Sequence, residues 1–244
     1  MLEAPPRILD LEGCPNFRHI GGYATKFGSR TAEHLFRSGS LHRVEEDAIG
    51  QLTTFGIRTV VDLRSAPERV DFKTPDLSPF AILHVVAPVF EHDASPPGLA
   101  KEFPGFAEIY RTFLETGRDA YKSLIETVAW TEGGLLYHCA VGKDRTGVAT
   151  ALLLDLVGVE ADTIVEDYSH SGRLLEPMLP QWVEGMKSRG IDPGRAPVLM
   201  ASPRADMAAT LDHLRDRYGD AEGYFLEIGV SAQTIEDARS RILE

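Results

Sequence analysis

One stretch constrains the chain more than any other: Leu135-Leu136-Tyr137-His138-Cys139-Ala140-Val141-Gly142-Lys143-Asp144-Arg145-Thr146-Gly147. An apolar run ends at Cys139, a turn carrying Gly142 follows, and the pattern resumes as a helix over 148–157. A short apolar run bounded by turn signals fits a strand covered on both faces, and such strands belong to mainly parallel sheets. Three more runs, 34–37, 57–63 and 80–86, are rich in branched or aromatic side chains and read the same way. Between them, Ala48, Ile49, Leu52 and Phe55 fall at helical spacing, with Gly56 as a stop signal. Leu124, Ile125 and Val128 share one helical face ahead of the run 134–138. Beyond Val159 the periodicity is helical, at 161–170, 203–218 and 231–243, the last opened by Ser231 as an N-cap. This alternation predicts an α/β fold, a central, mainly parallel sheet flanked by helices, with a helical C-terminal part.

At 244 residues, 43% apolar and 25% charged, the chain has the length and composition of one large domain, taken as 1–244. The stretch 88–118 interrupts the pattern. Pro88, Pro96, Pro97 and Pro104 with no clear period predict a loop, read either as a lid over a site or as a surface insertion. A formal net charge of −12 opposes general affinity for nucleic acid or anionic membranes, so any anion site has to be local. The N-terminal segment shows no basic stretch followed by an apolar run, and no apolar run is long enough to span a bilayer. The expectation is a cytoplasmic protein, or one secreted without a visible signal peptide, with no stable membrane insertion. Cys14 and Cys139 lie far apart and are expected to be reduced.

The strand-turn-helix stretch also carries chemistry. A loop in which successive N–H groups point inward, closed by the positive end of a helix, makes a cradle for an anion. Backbone of Ala140, Val141, Gly142, Lys143 and Asp144 would line it, and Arg145 adds a planar fork suited to phosphoryl oxygens. The same field favours the thiolate of Cys139, which could attack phosphorus and split hydrolysis into formation and breakdown of a phosphocysteine, with no metal required. His138 and Gly147 would support the loop, and Thr146 could donate a hydrogen bond toward the sulfur.

His138-Cys139-x-x-Gly142-Lys143-Asp144-Arg145-Thr146-Gly147 resembles the active-site motif of the cysteine-based tyrosine phosphatase superfamily. The lysine-aspartate pair before the arginine is similar to a bacterial branch that also hydrolyses phosphoinositides. Further matches are Asn16-Phe17-Arg18-His19-Ile20-Gly21-Gly22, Arg37-Ser38-Gly39, Asp62-Leu63-Arg64-Ser65 with Glu68-Arg69, and Asp167-Tyr168. Tyr218-Gly219, Tyr224 and Ile228-Gly229 extend the resemblance nearly to the end. His19 departs from the branch, which more often has aspartate there. The resemblance implies phosphotyrosine proteins or phosphoinositides as substrates, with phosphoserine and phosphothreonine as further candidates, and inorganic phosphate as product. It places the general acid at Asp144. Asp62, at the end of a predicted strand, is the alternative, and no tryptophan-proline-aspartate sequence supplies a third.

Other readings fit less well. Gly142-Lys143 would need a glycine at Tyr137 and serine or threonine at Asp144 to make a nucleotide-binding phosphate loop. Rhodanese-like sulfurtransferases use a loop commonly one residue shorter, and a phosphate-binding module without activity has no reason to keep cysteine, arginine and threonine together. An Arg64–Glu68 ion pair is expected as a structural alternative to a functional role for Arg64. His34, His42, His84, His92, His170 and His213 show no paired-ligand spacing, so neither a metal nor another cofactor is expected.

Overall fold

The computed structural model describes residues 8–90, 103–188 and 190–244. Five strands, β1 (Arg18–His19), β2 (Leu35–Ser38), β3 (Ile57–Asp62), β4 (Leu83–Val86) and β5 (Gly134–His138), form one sheet in the order β1-β2-β5-β3-β4. Only β1 runs antiparallel; the others are parallel to their neighbours. β5 is thus last in sequence and central in space. Asp62 and Ser38 both pair with His138, so their strands and β5 end together at one edge of the sheet. Open parallel sheets bind ligands at that edge.

The strand pleat divides the core. Leu35, Val61, Leu135 and Tyr137 face one layer and Phe36, Val60 and Leu136 the other. The second layer is thin, covered by α1 (Glu46–Thr54) through Ala48, Ile49 and Leu52, with Phe17, Leu77 and Ile82. The first is thick. Its centre is α5 (Asp144–Leu156), which buries residues around its whole circumference, as a helix enclosed on all sides must. Around it stand α3 (Phe106–Thr116), α4 (Arg118–Trp130), α6 (Ala161–Leu175), α9 (Arg204–Tyr218), α10 (Ala221–Glu227) and α11 (Ala232–Ile242). Ser231 caps α11 by accepting from Thr234 N.

The described part of 88–118 is not loop alone. From Phe106 it is helix, and Phe106, Ile109, Tyr110, Phe113 and Leu114 are buried. Proline and glycine upstream hid that helix start. Residues 91–102, with His92 and the middle of the expected lid, lie outside the described residues. β4 is shorter than expected, because Ser78–Phe80 forms a 3-10 turn that closes on Ala81 at φ 53. Four short helices have no counterpart in the periodicity: α2 (Ala66–Asp71), α7 (Leu179–Ser188), α8 (Ala196–Met200) and α10. Among the described residues no helix is long and apolar enough to cross a membrane.

Candidate active site

Strand β5 delivers Cys139 to the sheet edge, 1% exposed, and the chain turns through 140–143 into α5. The turn needs glycine. Gly142 sits at φ +71, and a Cβ there would lie 2.4 Å from the Ser38 carbonyl. The loop carbonyls are tied to the scaffold: Ala140 O accepts from Ser40 N (2.9 Å), and Gly142 O from Asn16 Nδ2 (2.7 Å) and Arg37 Nη2 (2.8 Å). Asn16 Nδ2 also reaches Val141 O at 3.3 Å. Within a peptide unit N–H and C=O point oppositely, so anchoring these carbonyls outward turns the following N–H groups toward the concave side. That is the geometry of an anion-binding nest.

Arg145, in the first turn of α5, donates from Nη1 and Nη2 to both oxygens of Glu68, at 2.6 and 2.7 Å, and stacks 4.8 Å from the centre of Phe90. Burial resists ionisation of Glu68, but Arg145 and Ser65 outweigh it and hold the carboxyl below the usual range. Each Nη keeps a second hydrogen, so the fork is oriented yet still able to donate. Glu68 sits where it does because α2 opens with a capping box: Ser65 N donates to Glu68 Oε2 at 2.9 Å. The expected Arg64–Glu68 pair is not the one formed. Arg64 instead grips Asp62 (Nη2–Oδ2 2.6 Å, Nε–Oδ1 2.9 Å), together with Ser40 Oγ, Phe72 O and Thr74 Oγ1.

Asp62 is fully buried, with Arg64 on both oxygens. Burial opposes its charge, yet His138 and Arg64 drive its pKa far below the carboxylate range. His138 lies beneath the loop, its Nδ1 3.2 Å from Cys139 O and its Nε2 3.8 Å from Asp62 Oδ2. Burial lowers its pKa to about 4, so the ring is neutral near pH 7. Asp62, His84 and His138 bring ligand atoms within 4.8 Å of one another, a grouping across three strands that no linear spacing shows. The Arg64 cation already occupies Asp62 there, and we assign the group no metal.

Asp144 is partly exposed at the start of α5, and its Oδ1 accepts from Tyr110 OH at 2.7 Å. Tyr110 OH lies 2.6 Å from Tyr168 OH, and Lys143 Nζ approaches Asp144 Oδ1 at 3.4 Å. The Lys143 ammonium is not a second cation free for substrate. It is buried, donates to Leu199 O (2.5 Å) and Ala201 O (2.7 Å) where α8 ends, and lies 3.8 Å from the centre of Phe106. Thr146 is also placed differently from expectation: its hydroxyl is buried with no hydrogen-bond partner among the described residues, the Cys139 sulfur included. Gly147 lets α5 pass the Tyr168 ring, which a Cβ would approach to 3.1 Å. Val141 packs against Leu175 and Met200, bringing α6 and α8 against the loop.

The structure therefore brings Cys139, Asp144 and Arg145 to one edge and puts Asp62, Arg64 and His138 underneath. The supporting roles of Asn16, Arg37, Glu68 and Asp167 are new, although all four stood among the sequence matches; Tyr110 carried no signal beyond a helical face.

Residues 9–244 match the model of the tyrosine phosphatase family. The chain is 30% identical over 222 residues to a tyrosine-protein phosphatase of Nostoc commune, covering 86% of this chain and 74% of that one. It is 28% identical over an alignment of 278 residues to the triple specificity protein phosphatase PtpB of Mycobacterium tuberculosis, covering 97% and 99%. A loop of anchored carbonyls following a buried cysteine, in a chain matched almost end to end, places this protein in the tyrosine phosphatase family, as a phosphoric monoester hydrolase.

Proposed function

We propose that residues 1–244 form a single phosphatase domain that hydrolyses phosphotyrosine through a phosphocysteine on Cys139. The observation that carries this reading is the loop itself, whose carbonyls from Ala140 to Gly142 are anchored away from Cys139 while Arg145 is held in plane by Glu68. In the first step the Cys139 thiolate attacks phosphorus as the aryl oxygen leaves; loop N–H groups and Arg145 hold the oxygens as charge redistributes. Asp144 gives the leaving oxygen its proton and then, as carboxylate, takes one from the water that cleaves the phosphocysteine. Its partial exposure beside the loop supports that role. The burial of Asp62 under Arg64 argues against the same role for it. The unpartnered Thr146 hydroxyl is suited to the departing sulfur once the loop is loaded. His138, Gly147 and Arg64 act through loop shape.

Breadth of substrate is a second part of the proposal. PtpB bears the description triple specificity, which supports activity here on more than one class of phosphate ester; phosphoserine, phosphothreonine and phosphoinositide esters are the candidates. Lys143 does not supply the selectivity, since its ammonium is committed to α8. The test is turnover of phosphotyrosine, phosphoserine and phosphothreonine peptides and of phosphoinositides by the wild type and by Cys139→Ser. We expect Cys139→Ser to lose turnover of every ester while still binding a phosphate analogue, and Arg145→Ala to lose both. Turnover by Cys139→Ser above a trace contradicts the mechanism; activity confined to phosphotyrosine contradicts the breadth.

A further inference from the structure

The charges packed around the loop almost cancel. Arg145 is paired with Glu68, Arg64 with Asp62, and Lys143 faces Asp144, with Asp206 adding further negative charge on that side. His138 is neutral near pH 7. Behind Gly142 the count is different. Among the described residues, Arg18 and Arg37, both 0% exposed, have one carboxylate between them, that of Asp167, which is 1% exposed. Arg18 Nε lies 3.1 Å from Asp167 Oδ1, and Arg37 Nη1 lies 2.5 Å from Oδ2. Tyr23 OH adds a neutral donor to Oδ1 at 3.1 Å. Ser171 Oγ is 3.3 Å from Arg18 Nη2; on the same helix burial holds Tyr168 in its neutral phenol form and keeps His170 toward neutral. Arg37 then touches the loop, through Nη2 to Gly142 O at 2.8 Å.

Two buried cations on one buried anion leave an uncompensated positive unit, a costly arrangement in a protein interior. The repulsion is visible in Arg18, whose pKa is pushed down by burial and then by the Arg37 charge. A phosphate dianion or a thiolate in the loop would be the missing counter-charge.

We propose that the Arg18–Arg37–Asp167 cluster is a charge-setting positioning element: it carries one surplus positive charge against the back of the loop, and that surplus favours both the ionised Cys139 and the bound phosphoryl group. Asp167 sets the size of the surplus and Arg37 delivers it. The inference rests on the reading of Cys139 as the nucleophile. A merely structural cluster would brace Gly142 O, and Asn16 already does that as a neutral donor from the same side.

The two roles separate by sign. Arg37→Met leaves the cluster neutral; Asp167→Asn raises its surplus. The measurement is the pH at which Cys139 becomes half-reactive toward iodoacetamide, an uncharged probe, together with inhibition by inorganic phosphate. Arg37→Met should raise the midpoint by about one unit and weaken phosphate inhibition about tenfold, whereas Asp167→Asn should lower the midpoint. Arg37→Lys should hold the midpoint near the wild-type value. Asn16→Gly, at a residue with φ 60, removes the neutral brace on Gly142 O and the amide oxygen that accepts from Arg18 Nη1 but changes no charge, and should move it far less than Arg37→Met. A shift in the same direction for Arg37→Met and Asp167→Asn, or one as large in Asn16→Gly as in Arg37→Met, assigns the cluster to bracing and overturns the proposal. Should Asp167→Asn fail to fold, the comparison of Arg37→Met with Asn16→Gly still decides. Failure of the phosphatase reading is distinguishable, because it would show as wild-type enzyme without turnover before any variant is made.

Discussion

Asp144 opens α5 directly after the loop and Asp62 pairs with His138 directly before it, yet their surroundings give them opposite chemistry. Asp144 has an edge toward solvent and a tyrosine hydroxyl on one oxygen; Asp62 has neither oxygen free of Arg64. We expect Asp144→Asn to slow aryl phosphates with poor leaving groups by about a hundredfold or more and those with good leaving groups far less, as removal of a general acid requires. Asp62→Asn should instead lower turnover of both alike. The reverse pattern reassigns the acid. Lys143→Ala exposes two helix-end carbonyls to loss of a buried donor, a cost of about 1–3 kcal/mol, and should lower the melting temperature and the rates toward tyrosine and lipid esters in equal proportion. A selective loss of lipid activity would restore the lysine to a substrate-reading role. At this scale the sequence showed which residues matter better than what they touch: Cys139 and Arg145 follow from local order along one strand, turn and helix, whereas the partners of Arg64, Glu68 and Lys143 depend on where distant segments land.

Among the elements, strands with a continuous apolar run and helices with a clean face were legible, and β5 coincides with its expected bounds. α2 shows why others were not. It buries no residue, so it leaves no apolar period, and its signals are the Ser65 to Glu68 spacing of a capping box and Pro67 in the first turn. That short helix nevertheless orients Arg145. Glu68→Gln keeps the size of the side chain and one acceptor but removes the charge from the pair with Arg145. The expected result is a rise in KM for aryl phosphates larger than the fall in kcat, measured by steady-state kinetics, because a mispositioned fork weakens ground-state binding first. An unchanged KM would mean that Glu68 does not set the arginine. α3 was obscured by the prolines before it, although Phe106, Ile109, Tyr110, Phe113 and Leu114 have the spacing of a buried face.

On the scale of the molecule, the fold class was readable because strand and helix periods alternate; the strand order was not, since nothing local tells β5 to insert between β2 and β3. That insertion puts His138 at the centre of the sheet, and it has a consequence for acid stability. The His138 pKa falls from 6.5 to about 4 on folding, so the unfolded chain binds a proton that the folded protein refuses. Stability contributed in this way is intact above about pH 6.5 and is lost as pH falls toward 4, by roughly 3 kcal/mol at the limit. Asp167, held at about 2, adds a further loss below the ordinary carboxylate value. Urea unfolding between pH 7 and 4.5 should show the decline in the wild type and a flatter profile in His138→Asn; parallel profiles would assign the decline elsewhere. The account as a whole turns on one covalent bond. Rapid quenching of the wild type with an aryl phosphate bearing a good leaving group, followed by mass spectrometry of the intact protein and its peptides, should show one phosphoryl group on the peptide carrying Cys139, absent in Cys139→Ser and accumulating when Asp144→Asn slows the second step. Turnover with no phosphorylated Cys139 at any quench time would contradict it.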